Sequence, residues 1–486
     1  MKELGKWQII SFVSRGMATF LGIVQSFVIV RILSVGDWGI IQLAASIGGA
    51  LGIYQHLGLA SASTREIASA KDDTDIFKIF LTSAVIRYIV TLPLSFALFF
   101  YADKLAVGLY KNALLILPLK IYGITLLFQG MQSLLNSVVM GTKRFKRLFT
   151  YQVLISVISA MCFIPLVYLY KINGYFWAYL LFNAINSLFL FFLAFGPLHG
   201  KLVFPSKKDF RKLFREIFSI SLAIYFVKIL ATNWEKMGTN ILGLYSKPEI
   251  IGIFAFAVLY SRKILSISDA VTDVTLPVFS EKYANDINDF KMSFKKNFDK
   301  VFGFIILASG LACFWAPQII AILVGGTKYQ GSYKYIPYIL LAFVIYSIAD
   351  IVKSSVYVPA KLISQMILSY VVLIGGTIVA FYIGNHFTDS LMSMSIALAF
   401  GSLVGMVYII FSLSRALNYT FFDTNHWLIL LQSTLIGWVG IQLGLMFKLL
   451  VFPFVALLML FGILFSKILT VQDLLFWQKY GKKQNQ

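Results

Sequence analysis

Eight cationic side chains stand inside stretches otherwise built of apolar residues: Arg15, Arg87, Lys120, Lys228, Lys236, Arg262, Lys263 and Lys353. Four carboxylates share those stretches, Glu235, Asp269, Asp273 and Asp350. A charge near the middle of a bilayer costs about 2.5–3.5 kcal/mol on insertion scales, so each must face water, an opposite charge or a ligand. Four anions neutralise only four of the eight cations, which leaves a surplus of four positive charges where apolar surroundings are expected. The chemistry open to such a surplus is the holding of an anion, above all a phosphate. Arg meets phosphate with a planar two-pronged fork and Lys with a point charge. Spacing constrains the pairing: Lys228 and Glu235 are two helical turns apart and share a face, as do Arg262 and Asp269, with Asp273 continuing the stripe. Adjacent Glu235 and Lys236 point different ways and do not pair simply. Two arrangements fit. In one, Arg15, Arg87, Lys228, Lys236, Arg262 and Lys263 line a shared cationic cavity. In the other, ion pairs are scattered and charges near helix ends, such as Lys120 and Lys353, snorkel to the headgroups.

The elements that carry these charges are membrane helices. The chain of 486 residues is 59% hydrophobic, and apolar stretches of about 20 residues recur from end to end. Fourteen are placed, at 9–30, 38–60, 79–101, 113–140, 150–170, 174–196, 217–243, 250–276, 301–324, 335–358, 362–384, 390–414, 426–447 and 449–466. The expected fold is an all-α integral membrane protein. Of 42 Lys and Arg, 26 fall in one set of alternate loops and termini and 8 in the other, which predicts that both termini are cytoplasmic in the cell membrane. The longest connections, 197–216 and 277–300, are basic and about 20 residues long, so no separate soluble domain is expected; the plain reading of their charge is a topology signal beside anionic lipid.

An internal repeat organises the helices. Leu33 to Ile40 resembles Tyr245 to Ile253, and the span opened by Pro118 and closed at Gly141-Thr142-Lys143 resembles the one opened by Pro337 and closed at Pro359-Ala360-Lys361. Two six-helix lobes follow, entering the membrane in the same sense and related by an axis along its normal, an arrangement that encloses a central cavity. The expected divisions are an N-lobe over 1–200, a basic cytoplasmic linker over 201–216, a C-lobe over 217–420, and two extra helices with a basic tail over 421–486.

Several chemistries lack their residues. No GxxxxGK[ST] phosphate loop occurs, and the adjacent pair Asp72-Asp73 reads as a solvated loop. Cys162 and Cys313 both fall in spans, which suggests neither a disulfide nor a zinc site. Asn418-Tyr419-Thr420 matches a glycosylation sequon on the cytoplasmic side, where it is a chance match. The opening MKELGKW leads into a run broken by Arg15, which reads as a retained first helix rather than a removed signal. No catalytic residue, metal, cofactor or nucleic-acid partner is expected.

The segment VRILSVGDWGIIQLAASIGGALGIYQHLGLASASTREIAS at 30–69 resembles the start of the polysaccharide flippases, the Wzx-type branch of the multidrug/oligosaccharidyl-lipid/polysaccharide exporter (MOP) superfamily. So do GTKRFKRL at 141–148, ILGLYSKPEIIGIFAFA at 241–257 and LPVFSEKYANDINDFKMSFKKNF at 276–298. The resemblance implies two six-helix lobes plus two further helices, as in the MATE-like fold. It also implies translocation of undecaprenyl-pyrophosphate-linked oligosaccharide by alternating access, in the company of membrane lipids and of polymerase and glycosyltransferase partners. Family members have cation-lined cavities, and Arg15, Lys228 and Arg262 fall on helices expected to line one here.

Rival readings differ in charge and loop length. A cation-coupled drug exporter calls for an acidic cavity, opposite in sign to the surplus found. A lipid II flippase carries a lipid pyrophosphate too, and charge does not separate it. A membrane glycosyltransferase or polymerase needs a carboxylate pair or a large outer loop, and the outer loops are short. Coupling to Na+ or H+ is expected to reset the empty cavity, with Glu235, Asp269 or Asp350 as carriers.

Overall fold

A computed structural model describes residues 2–70, 72–198, 203–264, 278–466 and 468; within it the side chains of 2–15, 145–146, 208–209, 212, 215–224 and 264 are left out. Every regular element among the described residues is helical. Eight described helices are long and apolar enough to cross a membrane, and shorter apolar helices accompany them, so the chain is a multi-pass membrane protein. The chain divides into two compact units, Met1–Gly252 and Ile253–Gln486. This division falls after the helix expected to open the second lobe and keeps that helix with the first unit.

The first unit holds α1 (Lys2–Ile32), α2 (Val35–Gly52), α3 (Leu59–Ala68), α4 (Asp73–Phe100), α5 (Ile116–Gly141), α6 (Phe145–Phe195) and α7 (Lys207–Tyr245); α8 (Pro248–Ser261) begins in it. Helix starts follow from polar caps at the water boundary. Ser34 Oγ accepts the Asp37 amide at 3.0 Å to start α2, and Asp72 Oδ1 accepts the Asp75 amide at 2.8 Å to start α4. The stretches expected at 150–170 and 174–196 are one chain path, α6, broken at a kink where Lys171 holds a non-helical φ of 51° and ψ of −127°. Leu59, Ile79, Leu134, Leu135, Val138 and Val139 form the core between α3, α4 and α5.

The second unit holds α9 (Ile287–Phe314), α10 (Ala316–Ile320), α11 (Ile336–Val352), α12 (Ile363–Gly384), α13 (Ser390–Leu417), α14 (Thr424–Gln442) and α15 (Leu445–Phe465). Much of the basic connection expected at 277–300 is helix, since α9 starts at Ile287 with Asp286 Oδ1 accepting the Asn288 amide at 2.8 Å. Along α9 the rings of Phe290, Phe294, Phe298 and Phe302 recur every four residues and are all buried, the stripe on which Phe421, Phe422 and His426 pack. Helices α12 and α13 approach closely through small residues: a side chain on Gly401 would strike Thr377 and the Leu373 carbonyl.

The repeat is written in the element order. Helix α4 and α9 are both 28 residues, each capped at its start by an Asp (72, 286) and ended by an aromatic residue (Tyr101, Trp315) with the same φ of −93° and ψ of 6°. Each is followed by a π-wound turn, Lys104–Leu109 or Ala321–Gly325, then a 3-10 turn and the next long helix. The spans expected to match end at Lys143 and Lys361, and both lysines hold a φ of 56°. The paired turns at 33–40 and 245–252 touch reciprocally: a side chain on Gly39 would strike the Pro248 carbonyl, and one on Gly252 the Val35 carbonyl.

Candidate functional site

The most constrained charge in the first unit is Arg87, in the middle of α4 and wholly buried. Its Nη2 reaches the His56 carbonyl and Ser133 Oγ, each at 3.3 Å. Its Nε and Nη1 have no hydrogen-bond partner among the described residues, and no carboxylate pairs with it there. Gln55 and Thr91 flank it, the Thr91 hydroxyl lying 3.1 Å from Gln55 Oε1. The flanking position on α5 is Gly130, where a Cβ would meet Gln55 Oε1 at 3.1 Å and Arg87 Cδ at 3.4 Å, so a larger residue there would press on both side chains.

Four elements build this pocket. The chain leaves α2 through the 3-10 turn Ile53–Gln55 and bends at Leu57 and Gly58, both at positive φ, which turns the His56 carbonyl toward α4. Helix α7 is tied to the same turn by Tyr225, whose hydroxyl donates to the Tyr54 carbonyl at 2.8 Å. One turn further along α7 stands exposed Lys228, and the charges of Arg87 and Lys228 both reach the half-buried His56 imidazole. The 3-10 turn and the bend after it thus have the buried Arg87 guanidinium bonded to one side and α7, which carries exposed Lys228, packed against them. In surroundings of low dielectric an unneutralised charge attracts an anion strongly.

The other expected residues fall as follows. Lys236 lies two turns beyond Lys228, its alkyl stem against α2, where a Cβ on Gly49 would meet Lys236 Cε at 3.3 Å; its carbonyl accepts Ser46 Oγ at 2.8 Å. Glu235 beside it is half-buried. Arg15 lies on α1 with its side chain outside the described part. In the second unit, α8 gives way to the 3-10 turn Arg262–Ile264, with Arg262 exposed and Lys263 half-buried. Asp269 and Asp273 lie outside the described residues. Lys120 forms an exposed ion pair with Asp103 at 3.1 Å. Lys353 is buried beside the rings of Tyr346 and Tyr370, one turn after half-buried Asp350. Thus Arg87 and Lys228 are brought to one site, Asp350 and Lys353 to another.

Sequence reasoning missed His56, Gln55 and Ser133, which carry no charge signal, and it missed Lys448. That lysine falls between the spans expected at 426–447 and 449–466, in the set of connections poor in Lys and Arg. It is wholly buried on α15, donating to the Phe314 carbonyl at 3.0 Å and to Gln318 Oε1 at 2.9 Å. It neutralises the carbonyl end of α9.

Comparison with solved structures places the fold. The chain aligns with the lipid II flippase MurJ in an inward closed conformation at a TM-score of 0.70 and 16% identity, over 96% of this chain and 99% of that one. It aligns with a multidrug resistance MATE family transporter of the MOP superfamily, in an inward-facing conformation, at 0.66 and 16% identity, over 84% of this chain and 97% of that one. Identity this low speaks to fold, and the fold is MATE-like. No curated protein matches the chain. The model of one sequence family, described as polysaccharide biosynthesis protein, matches residues 28–334, more than half of the chain and including Arg87, His56, Lys228 and Arg262. With that match over this helical frame, the chain belongs to the polysaccharide biosynthesis protein family.

Proposed function

We propose that the protein is a flippase that carries a polyprenyl-pyrophosphate-linked oligosaccharide from the inner to the outer leaflet of the cytoplasmic membrane for polysaccharide synthesis. The observation that carries this reading is the site at Arg87, a buried guanidinium with no counter-ion among the described residues, bonded to the His56 carbonyl of the turn on which α7, with exposed Lys228, packs. A pyrophosphate supplies the missing negative charge. Lys228 makes the first contact, and the field of Arg87 holds the headgroup at the membrane interior while the lipid tail stays in the bilayer. Family membership supports a role in polysaccharide biosynthesis. The bias of Lys and Arg supports cytoplasmic termini. Coupling to an ion gradient returns the empty carrier, with Glu235, Asp269 and Asp350 as carboxylates available to it. Polymerase and glycosyltransferases are the partners on either side of the step.

A second reading, transport of lipid II, is favoured by the alignment with MurJ over nearly the full length of both chains. The two are separated by substrate. Purified protein in liposomes is expected to translocate fluorescent lipid-linked oligosaccharide and to lose this in Lys228→Ala, because a hydrogen bond to a charged group contributes about 1.5–3 kcal/mol. Equal translocation of lipid II would favour the second reading, and unchanged transport in Lys228→Ala and Arg87→Met would sink both.

A further inference from the structure

Three cations are deeply buried in the described part, and they differ in what holds the charge. Lys448 Nζ donates two good hydrogen bonds, and Arg87 Nη2 makes two long ones. Lys353 Nζ, on a side chain only 2% exposed, makes none. Its charge rests on ring faces: the Tyr370 centroid is 3.5 Å away and that of Tyr346 5.4 Å, with their hydroxyls facing each other at 3.4 Å. Asp350 is the charged group whose field reaches it.

The lysine also stands where the helix changes winding. Helix α11 ends at Val352, and Lys353–Tyr357 is wound as a π-turn, a packing irregularity common at functional positions. Ser354 Oγ bonds back to the Asp350 carbonyl at 2.8 Å across this change. Tyr346 and Asp350 lie on Lys353's own helix, whereas Tyr370 lies on α12, which packs against the π-turn. Among the described residues, the remaining titratable groups on neighbouring elements offer no neutralisation. On α13, Tyr408 acts on Tyr357; on α14, His426 is bound to Asp299 of α9; and the turn bearing Arg262 and Lys263, which packs against α11, carries like charge. The stability of the ammonium therefore depends on how the π-turn and Tyr346 sit against Tyr370 of α12.

We propose that Lys353 is the proton-binding site of the transport cycle. In the state described here Nζ carries the proton against Tyr370. When the π-turn rewinds and draws Nζ from the ring, the ammonium releases one proton to water and becomes a neutral amine, and the reverse step restores it. The site deepens the flippase reading and rests on it, since the cycle is that of the lipid pyrophosphate carrier. It assigns coupling to a proton on an internal lysine rather than to a bound sodium ion.

The test measures protons exchanged when farnesyl pyrophosphate binds the full chain in lipid nanodiscs, by calorimetry in buffers of different ionisation enthalpy. Wild type is expected to exchange about one proton per probe bound. Lys353→Arg keeps the charge and the ring contact but cannot release its proton, and Lys353→Met keeps the volume without the charge. Both are expected to bind within about threefold of wild type and to exchange none. The same proton count in the variants, or a linkage that disappears when sodium is replaced by potassium, overturns the proposal while leaving the flippase reading intact. Failure of wild type to bind the probe removes the flippase reading instead. Thermal unfolding then decides the proton site: wild type should gain Tm relative to Lys353→Arg as the pH rises toward the ordinary lysine value of about 10.4, and a constant difference overturns the assignment.

Discussion

Arg87 and Lys448 show opposite ways of keeping a cation out of water, and their substitutions should behave oppositely. Arg87 has buried nitrogens without partners, so its burial is a cost that the fold carries. Arg87→Met should leave Tm unchanged or raised while weakening farnesyl pyrophosphate binding at least about tenfold, or 1.4 kcal/mol. Thermal unfolding and calorimetry on one preparation check both. Lys448→Met should do the reverse: the Phe314 carbonyl and Gln318 amide oxygen lose their donor, at a cost of about 1–3 kcal/mol, with probe binding retained. Arg87 was legible because an arginine in the middle of an apolar run has no harmless place. Lys448 was not, because it sits where one apolar run meets the next, and hydropathy does not distinguish a loop from the first turn of a helix. Lys353 was read as a residue near a helix end that could snorkel. Its burial comes from Tyr346 and Tyr370, the latter 17 residues later in the chain, and no local pattern announces that meeting.

At the scale of elements, close approach depends on small residues and caps. Gly401 on α13 faces Thr377 and Leu373 on α12, so Gly401→Leu should cost about 1–3 kcal/mol in unfolding experiments by forcing the two helices apart. Asp286→Ala should remove the cap of α9 and cost about 1 kcal/mol, with a matching effect from Asp72→Ala at α4. At the start of α14, His426 Nδ1 accepts the Asp423 amide at 3.0 Å and Nε2 lies 3.0 Å from Asp299 Oδ1, while Lys295 joins Asp423 to Asp299. This closed polar network ties the start of α14 to α9. Apolar runs and capping residues locate helices well because both are local. The π-wound turns, the bend at Lys171 and the extension of α9 to Ile287 are choices made against neighbouring helices.

For the whole molecule, the Lys and Arg bias predicts opposite exposure of Lys111 and Lys207. With Cys162 and Cys313 replaced, Lys111→Cys should label with an impermeant maleimide from outside intact cells and Lys207→Cys only after permeabilisation. Labelling of both from one side would refute the topology. The amino-acid order by itself determined the helical membrane class, the twofold repetition and the excess of positive charge, since these depend on composition and on periods of a few residues. The repetition then appears in coordinates as paired helices of equal length, paired π-turns and lysines at equal φ. Only the tertiary structure decided which cations share surroundings: Arg87 and Lys228 around His56, Lys353 against Tyr370, Lys448 at the end of α9. The reason is physical. Whether a helix enters a membrane is settled by the sum of its own side chains, but whether a charge within it is paired, caged or left unneutralised depends on residues tens of positions away that packing brings to it.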